Sequence, residues 1–130
     1  MIGLVLVTHA GFAEELLSGA EMIVGPIERA EAVGIRPGDP ADDIMTRIAE
    51  AVKRVSEDGA LIMTDMFGGT PSNMSLSFLE TDRIEVLTGV NLPMVIKFAS
   101  DRDRGTVADL ATSLKEYGRE SIAVAGDYLK

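Results

Sequence analysis

The chain holds a single histidine, His9, at the end of its first apolar run, Ile2-Gly3-Leu4-Val5-Leu6-Val7-Thr8. A titratable ring where a buried strand stops is well placed for chemistry, because strand-end loops present reactive groups on a rigid scaffold. Imidazole, largely uncharged at neutral pH, is a good nucleophile. It attacks through one nitrogen while the other carries the proton. A carboxylate that accepts that N–H fixes the tautomer and stabilises positive charge developing on the ring. Asp65, at the end of the apolar run Ala60-Leu61-Ile62-Met63-Thr64, is the candidate for this role. The competing reading is an aspartate that merely caps a turn.

Gly68-Gly69-Thr70-Pro71 follows closely. Two glycines allow successive backbone N–H groups to turn toward one point and form an anion nest. A helix starting at Pro71 adds unpaired N–H groups and the positive end of its dipole, worth about 0.3–1 kcal/mol to a nearby anion. Thr70 adds a hydroxyl. A nucleophilic His9, an orienting Asp65 and an anion nest at Gly68, Gly69 and Thr70 together suggest phosphoryl transfer through a phosphohistidine. Taken alone, the Gly-Gly pair is as well explained by a flexible turn. The loop is not a Walker-type P-loop, because GxxxxGK[ST] is absent and no lysine is near.

The elements that must position these residues alternate between strand and helix. Ile2–Val7, Ala30–Ile35, Ala60–Thr64 and Ile84–Thr88 read as strands. Phe12, Leu16, Leu17, Ala20, Ile23 and Val24 recur at helical spacing, and Gly25-Pro26 ends that helix. Asp39 reads as an N-cap with Pro40 at the first helical position, ahead of a face made by Ile44, Ile48, Ala51, Val52 and Val55. Thr70 reads as the cap of the next helix, Asn91 as the cap of a short one, and Thr106 with Asp109 as the start of another that Gly118 closes. Ser121–Ala125 reads as a last short strand. The expected fold is α/β: a doubly wound central sheet of four parallel strands in order 2-1-3-4, flanked by helices. His9, Asp65 and Gly89-Val90-Asn91 then share the carboxyl edge, and the strand order reverses between strands 1 and 3, where such folds bind ligands.

Composition sets outer bounds. A length of 130 residues suits one domain with a core of its own. The absence of cysteine excludes disulfides, thiolate zinc sites and cysteine catalysis. With one histidine, a metal site would have to rest on carboxylates, which lack calcium-loop spacing, so neither metal nor cofactor is expected. A net charge of −9 argues against nucleic acid or anionic lipid as partners and is compatible with a basic protein partner or with solubility alone. No Gly-x-Ser-x-Gly elbow marks a serine hydrolase. Ile2–Val7 is too short for a signal peptide or a membrane span, and cytoplasmic residence is expected. Met66 and Phe67 suit either core packing or an apolar partner surface. Asp101-Arg102-Asp103-Arg104 reads as a solvated loop.

Val5-Leu6-Val7-Thr8-His9-Ala10-Gly11, Thr64-Asp65-Met66-Phe67-Gly68-Gly69-Thr70-Pro71-Ser72-Asn73 and Thr88-Gly89-Val90-Asn91-Leu92-Pro93-Met94 resemble the IIA component (EIIA) of the mannose/fructose/sorbose-type sugar phosphotransferase system (PTS). The resemblance covers essentially the whole chain and implies a single mannose-type EIIA domain over residues 1–130. It implies a phosphotransferase in which His9 is phosphorylated at Nε2, Asp65 holds Nδ1–H, and the backbone of Gly68, Gly69 and Thr70 holds the phosphoryl oxygens. Thr70 stands where a serine is often found and keeps the hydroxyl. The implied donor is the histidine phosphocarrier protein HPr and the acceptor a IIB component, separate because the chain ends at Lys130. Membrane contact would come only through transporter subunits. The resemblance also implies a homodimer that exchanges a C-terminal antiparallel strand, which Ser121–Ala125 matches.

A second reading of the same residues is a regulatory binding protein whose His9 phosphorylation state signals metabolic status without sugar transport. The phosphocarrier domain of dihydroxyacetone kinase systems fits the Phe-Gly-Gly-Thr-Pro loop less well. A receiver domain needs an acidic pair where Thr8-His9 stands.

Overall fold

A computed structural model describes residues 1–129. Four parallel strands, β1 (Gly3–His9), β2 (Ala30–Ile35), β3 (Ala60–Thr64) and β4 (Ile84–Thr88), pair in the order β2-β1-β3-β4. The two central strands are the most continuously apolar, and Leu4 to Thr8 and Ala60 to Thr64 are fully buried. That is the pattern required of a parallel strand covered on both faces. The edge strands β2 and β4 are mostly half-buried, with Val33, Ile35 and Leu87 their buried positions.

Side-chain alternation along β1 and β3 divides the core into two layers. Leu4, Leu6, Leu61 and Met63 face helices α1 (Phe12–Val24), α4 (Leu92–Asp101) and α5 (Val107–Glu120), meeting Leu16, Phe98, Leu110 and Leu114. Val5, Val7 and Ile62 face α2 (Ala41–Val55), meeting Ile44, Ile48 and Val52, with Met74 of α3 (Thr70–Leu76) packed against the same cluster. The expected doubly wound α/β sheet and its strand order are therefore what the chain forms.

Several local expectations hold for the reasons that suggested them. Asn91 caps α4, its Oδ1 accepting from the Met94 amide at 3.1 Å. Thr106 and Asp109 form a reciprocal capping box at the start of α5. Gly25 closes α1 with φ +84°, a conformation that suits glycine.

Others are corrected. Pro40, not Asp39, is the N-cap of α2, because the Asp39 carboxylate is taken by the Arg36 amide at 2.9 Å and by Arg47 at 2.8 Å. Gly69, not Thr70, caps α3, and Thr70 is already its first helical residue. Gly118 does not end α5; it is buried inside it, where a Cβ would lie 2.4 Å from Met94 Sδ. Its role is close helix approach. Ser121–Ala125 forms no strand in the single chain; it leads from α5 into a 3₁₀ turn over Ala125–Leu129. Of the α1 face, Leu16 and Ala20 are buried, whereas Phe12, Ile23 and Val24 remain exposed.

The charged run 101–104 is not a solvated loop throughout. Arg102 is 5% exposed, lies over the Phe98 ring at 4.8 Å, and donates from Nε and Nη2 to the Ile2 carbonyl at 3.0 and 2.6 Å. Burial lowers its pKa, yet an arginine stays protonated at physiological pH. The guanidinium thus ties the start of β1 to the end of α4. Arg102→Met keeps an apolar stem but leaves Ile2 O buried without its donors. It is expected to lower stability by about 2–3 kcal/mol, read as a lower urea midpoint at unchanged m-value.

Candidate active site

Strand register brings the site together. Val7 of β1 stands opposite Thr64 of β3, so Asp65, the next residue, emerges beside the end of β1. Its Oδ2 accepts from His9 Nδ1 at 2.8 Å and from the His9 backbone amide at 3.1 Å. One oxygen therefore holds both the ring and the chain that carries it. A carboxylate at Nδ1 requires that nitrogen to bear the proton, which leaves the lone pair on Nε2. The His9 side chain is 51% exposed and that of Asp65 15%. The ring is open to solvent and the carboxylate that holds it is sheltered.

The turn that carries His9 is fixed from both sides. The Ala10 amide donates to Ile35 O of β2 at 2.8 Å, and the Ala13 amide donates to Thr8 Oγ1 at 2.7 Å, which ties the start of α1 to the last turn of β1. Ala10 adopts φ +51°, a left-handed conformation uncommon for a residue with a Cβ. Gly34 leaves the space this turn needs, since a Cβ there would lie 2.2 Å from Ala10 O. On the other flank, the Gly89 and Val90 amides donate to Thr64 O at 2.9 and 3.0 Å and hold the residue before Asp65.

The glycine loop reaches the reactive edge of the ring. Gly68 has φ +90°. A Cβ on Gly69 would lie 2.9 Å from His9 Cε1 and 3.3 Å from Nε2, so only the bare backbone fits beside the imidazole. Thr70 is exposed at the first position of α3. The opening N–H groups of a helix have no intrahelical acceptor. His9, Asp65 and Gly69 are thus in contact, and Gly68 and Thr70 flank the point where the loop meets the ring.

Two features were not anticipated from sequence. Thr8 Oγ1, at the end of β1, accepts from the Ala13 amide in the first turn of α1, whose N-cap Gly11 makes no side-chain cap bond. Two buried polar atoms, Asp65 Oδ1 and Ser72 Oγ, have no hydrogen-bond partner among the described residues, which only coordinates reveal. Met66 and Phe67, undecided between core and surface, are exposed at 53% and 74%. They put apolar area on the loop beside the imidazole.

The carboxyl edge of the doubly wound sheet thus carries a hydrogen-bonded imidazole–carboxylate pair with a glycine loop against its free nitrogen. The chain belongs to the family described as PTS system fructose IIA component, whose model matches residues 3–115. It is 30% identical to the PTS system fructose-specific EIIA component of Bacillus subtilis, across 100% of this chain and 90% of that protein. It is 33% identical to the PTS system mannose-specific EIIAB component of Escherichia coli over 93% of this chain, which spans 38% of that longer protein. The crystal structure of phosphotransferase system component EIIA from Streptococcus agalactiae superimposes with a TM-score of 0.87 at 30% identity, covering 98% of this chain and 99% of that one.

The geometry makes a direct spectroscopic prediction. Nitrogen-15 NMR of neutral His9 should show the Nδ1–H tautomer, and Asp65→Ala should return the ring toward the Nε2–H form. Gly69→Ala should displace the ring and weaken the Nδ1 hydrogen bond with little change in thermal stability, because the Gly69 backbone, at φ −88°, suits alanine.

Proposed function

We propose that this chain is a cytoplasmic phosphocarrier of the sugar phosphotransferase system, with residues 1–130 acting as one mannose-type EIIA domain. The observation that carries the proposal is the 2.8 Å bond between His9 Nδ1 and Asp65 Oδ2, which directs the Nε2 lone pair outward from an exposed ring. In the forward step the Nε2 lone pair of His9 attacks the phosphorus carried by phosphorylated HPr. The N–P bond of the donor breaks, its imidazole leaves with the electron pair, and Nε2–P forms. The ring becomes cationic, and Asp65 stabilises it through the retained Nδ1–H. Backbone N–H groups at Gly68, Gly69 and Thr70, with the Thr70 hydroxyl, receive the phosphoryl oxygens. In the second step a nucleophile on a IIB component attacks phosphorus and His9 is the leaving group.

Exposed Met66 and Phe67 offer the partners an apolar contact next to the ring. The assembly we propose is a homodimer. The outer edge of β4 has no strand partner among the described residues, and Ile122 and Val124 beyond α5 are 77% and 69% exposed. Exchange of this segment onto the β4 edge of a second copy would cover both.

Incubation with phosphorylated HPr should place acid-labile phosphate on His9, and His9→Gln should abolish it; a fully labelled His9→Gln protein would overturn the mechanism. Asp65→Asn should fold normally yet accept phosphate at least about tenfold more slowly. Light scattering should give the mass of two chains, and Val124→Asp should shift it toward one.

A further inference from the structure

Three arginines, Arg36, Arg47 and Arg54, line one polar groove that runs along β2, together with Glu14, Asp39, Asp43 and Glu50; Arg36 is at the carboxyl end of that strand. Two of the arginines are committed. Arg47 donates to Gly34 O and to Asp39 Oδ2, both at 2.8 Å, and Arg54 pairs with Glu31. The exposed Arg36 guanidinium makes no hydrogen bond or ion pair among the described residues. Its nearest candidate counter-ion in sequence, Asp39, is already engaged by Arg47 and by the Arg36 backbone amide.

The fold sets where this free cation sits. Ile35 is registered with His9 and accepts from the Ala10 amide, so Arg36 leaves β2 level with the His9–Gly11 turn. Its Nη2 lies 3.5 Å from the point that a Cβ on Gly11 would occupy. The guanidinium therefore rests over the turn, two residues from the nucleophile. Asp65 and Gly69 meet the ring from the opposite, β3 flank.

We propose that Arg36 binds the phosphoryl oxygens as the group passes to and from His9. This inference rests on the phosphocarrier reading. A phosphoryl group carries two negative charges toward a chain whose net charge is −9, and a local cation offsets that repulsion and raises the rate of productive encounter. The planar guanidinium matches phosphoryl oxygens with paired N–H donors. With no ion pair to break, its long side chain swings from Gly11 toward the ring without losing a partner. Arg36 keeps its protons throughout; it neither makes nor breaks a covalent bond.

The test compares full-length wild type, Arg36→Gln and Arg36→Lys for the rate of His9 labelling by phosphorylated HPr at low and high salt. Arg36→Gln should lower kcat/KM about tenfold or more and flatten its salt dependence. Arg36→Lys should restore most of the salt dependence and part of the rate, and melting temperatures should stay unchanged. Wild-type rate and salt dependence in Arg36→Gln would overturn the proposal. So would equal losses in both variants together with a lowered melting temperature, which would assign Arg36 to the scaffold. If wild type takes no label, the phosphocarrier reading itself fails, an outcome distinct from either.

Discussion

The His9–Asp65 hydrogen bond joins residues 56 apart in sequence, and it exists because β1 and β3 pair in parallel with Val7 opposite Thr64. Parallel pairing puts both strand ends on the same edge of the sheet. A shift of register by one residue would turn every β3 side chain to the other face and move Asp65 along the strand away from the ring. The register is held by burial: five consecutive residues of β3 are fully buried between two helical layers, so a slip would exchange the contents of both cores. The precision of the imidazole–carboxylate contact is thus inherited from hydrophobic packing remote from it.

Around that contact the backbone does most of the positioning. Ile35 and Thr64 use backbone oxygens to anchor the amides of neighbouring loop residues, Thr8 uses its hydroxyl to anchor the first turn of α1, and none of the three faces solvent. Gly34 and Gly69 act by what they lack, since a methyl group at either position would collide with the His9 turn or its ring. The site is therefore rigid on its inner side and open on its outer side. That suits the phosphocarrier role we propose, in which the ring meets other macromolecules that an enclosed pocket would exclude. The apolar exposure of Met66 and Phe67 belongs to the same arrangement.

Electrostatics imposes the opposing demand. The phosphorylation we propose would add about −1.5 to −2 charge to a chain already at −9. Asp65, which in the proposed mechanism stabilises a cationic ring, is itself an anion close to where the phosphate would arrive. Its burial behind the ring limits that conflict: the carboxylate meets the proton on Nδ1, and the exposed nitrogen faces the glycine loop.

Much of this was legible in the residues. The four strands, their order, the pairing of His9 with Asp65 and the glycine loop follow from apolar runs, strand-to-helix alternation and local motif chemistry, all of which are written over short spans. The errors are of another kind. Asp39 and Thr70 have good capping chemistry, but Asp39 was claimed by Arg47 from the next helix, and α3 starts one residue earlier than Thr70's hydroxyl would have it. Gly118 looked like a terminator because a glycine near a helix end usually is one, whereas Met94 from α4 needed the space. Ser121–Ala125 has strand-like residues but pairs with no strand in the single chain, although the outer edge of β4 has no strand partner among the described residues. Arg102 reads as solvated until β1 supplies a buried carbonyl to receive it.

The sequence by itself determined which chemistry is possible here, because one histidine, no cysteine and a Gly-Gly loop after an aspartate leave few nucleophile sites to build. Tertiary structure brought His9 Nδ1 to the carboxylate, as the family resemblance implied, and alone decided how closely Gly69 lies against the ring and that Arg36 has no counter-ion among the described residues beside the turn. Each of these depends on distances between segments far apart in the chain. Such distances are set by the joint packing of strands and helices, and no local pattern of residues encodes them.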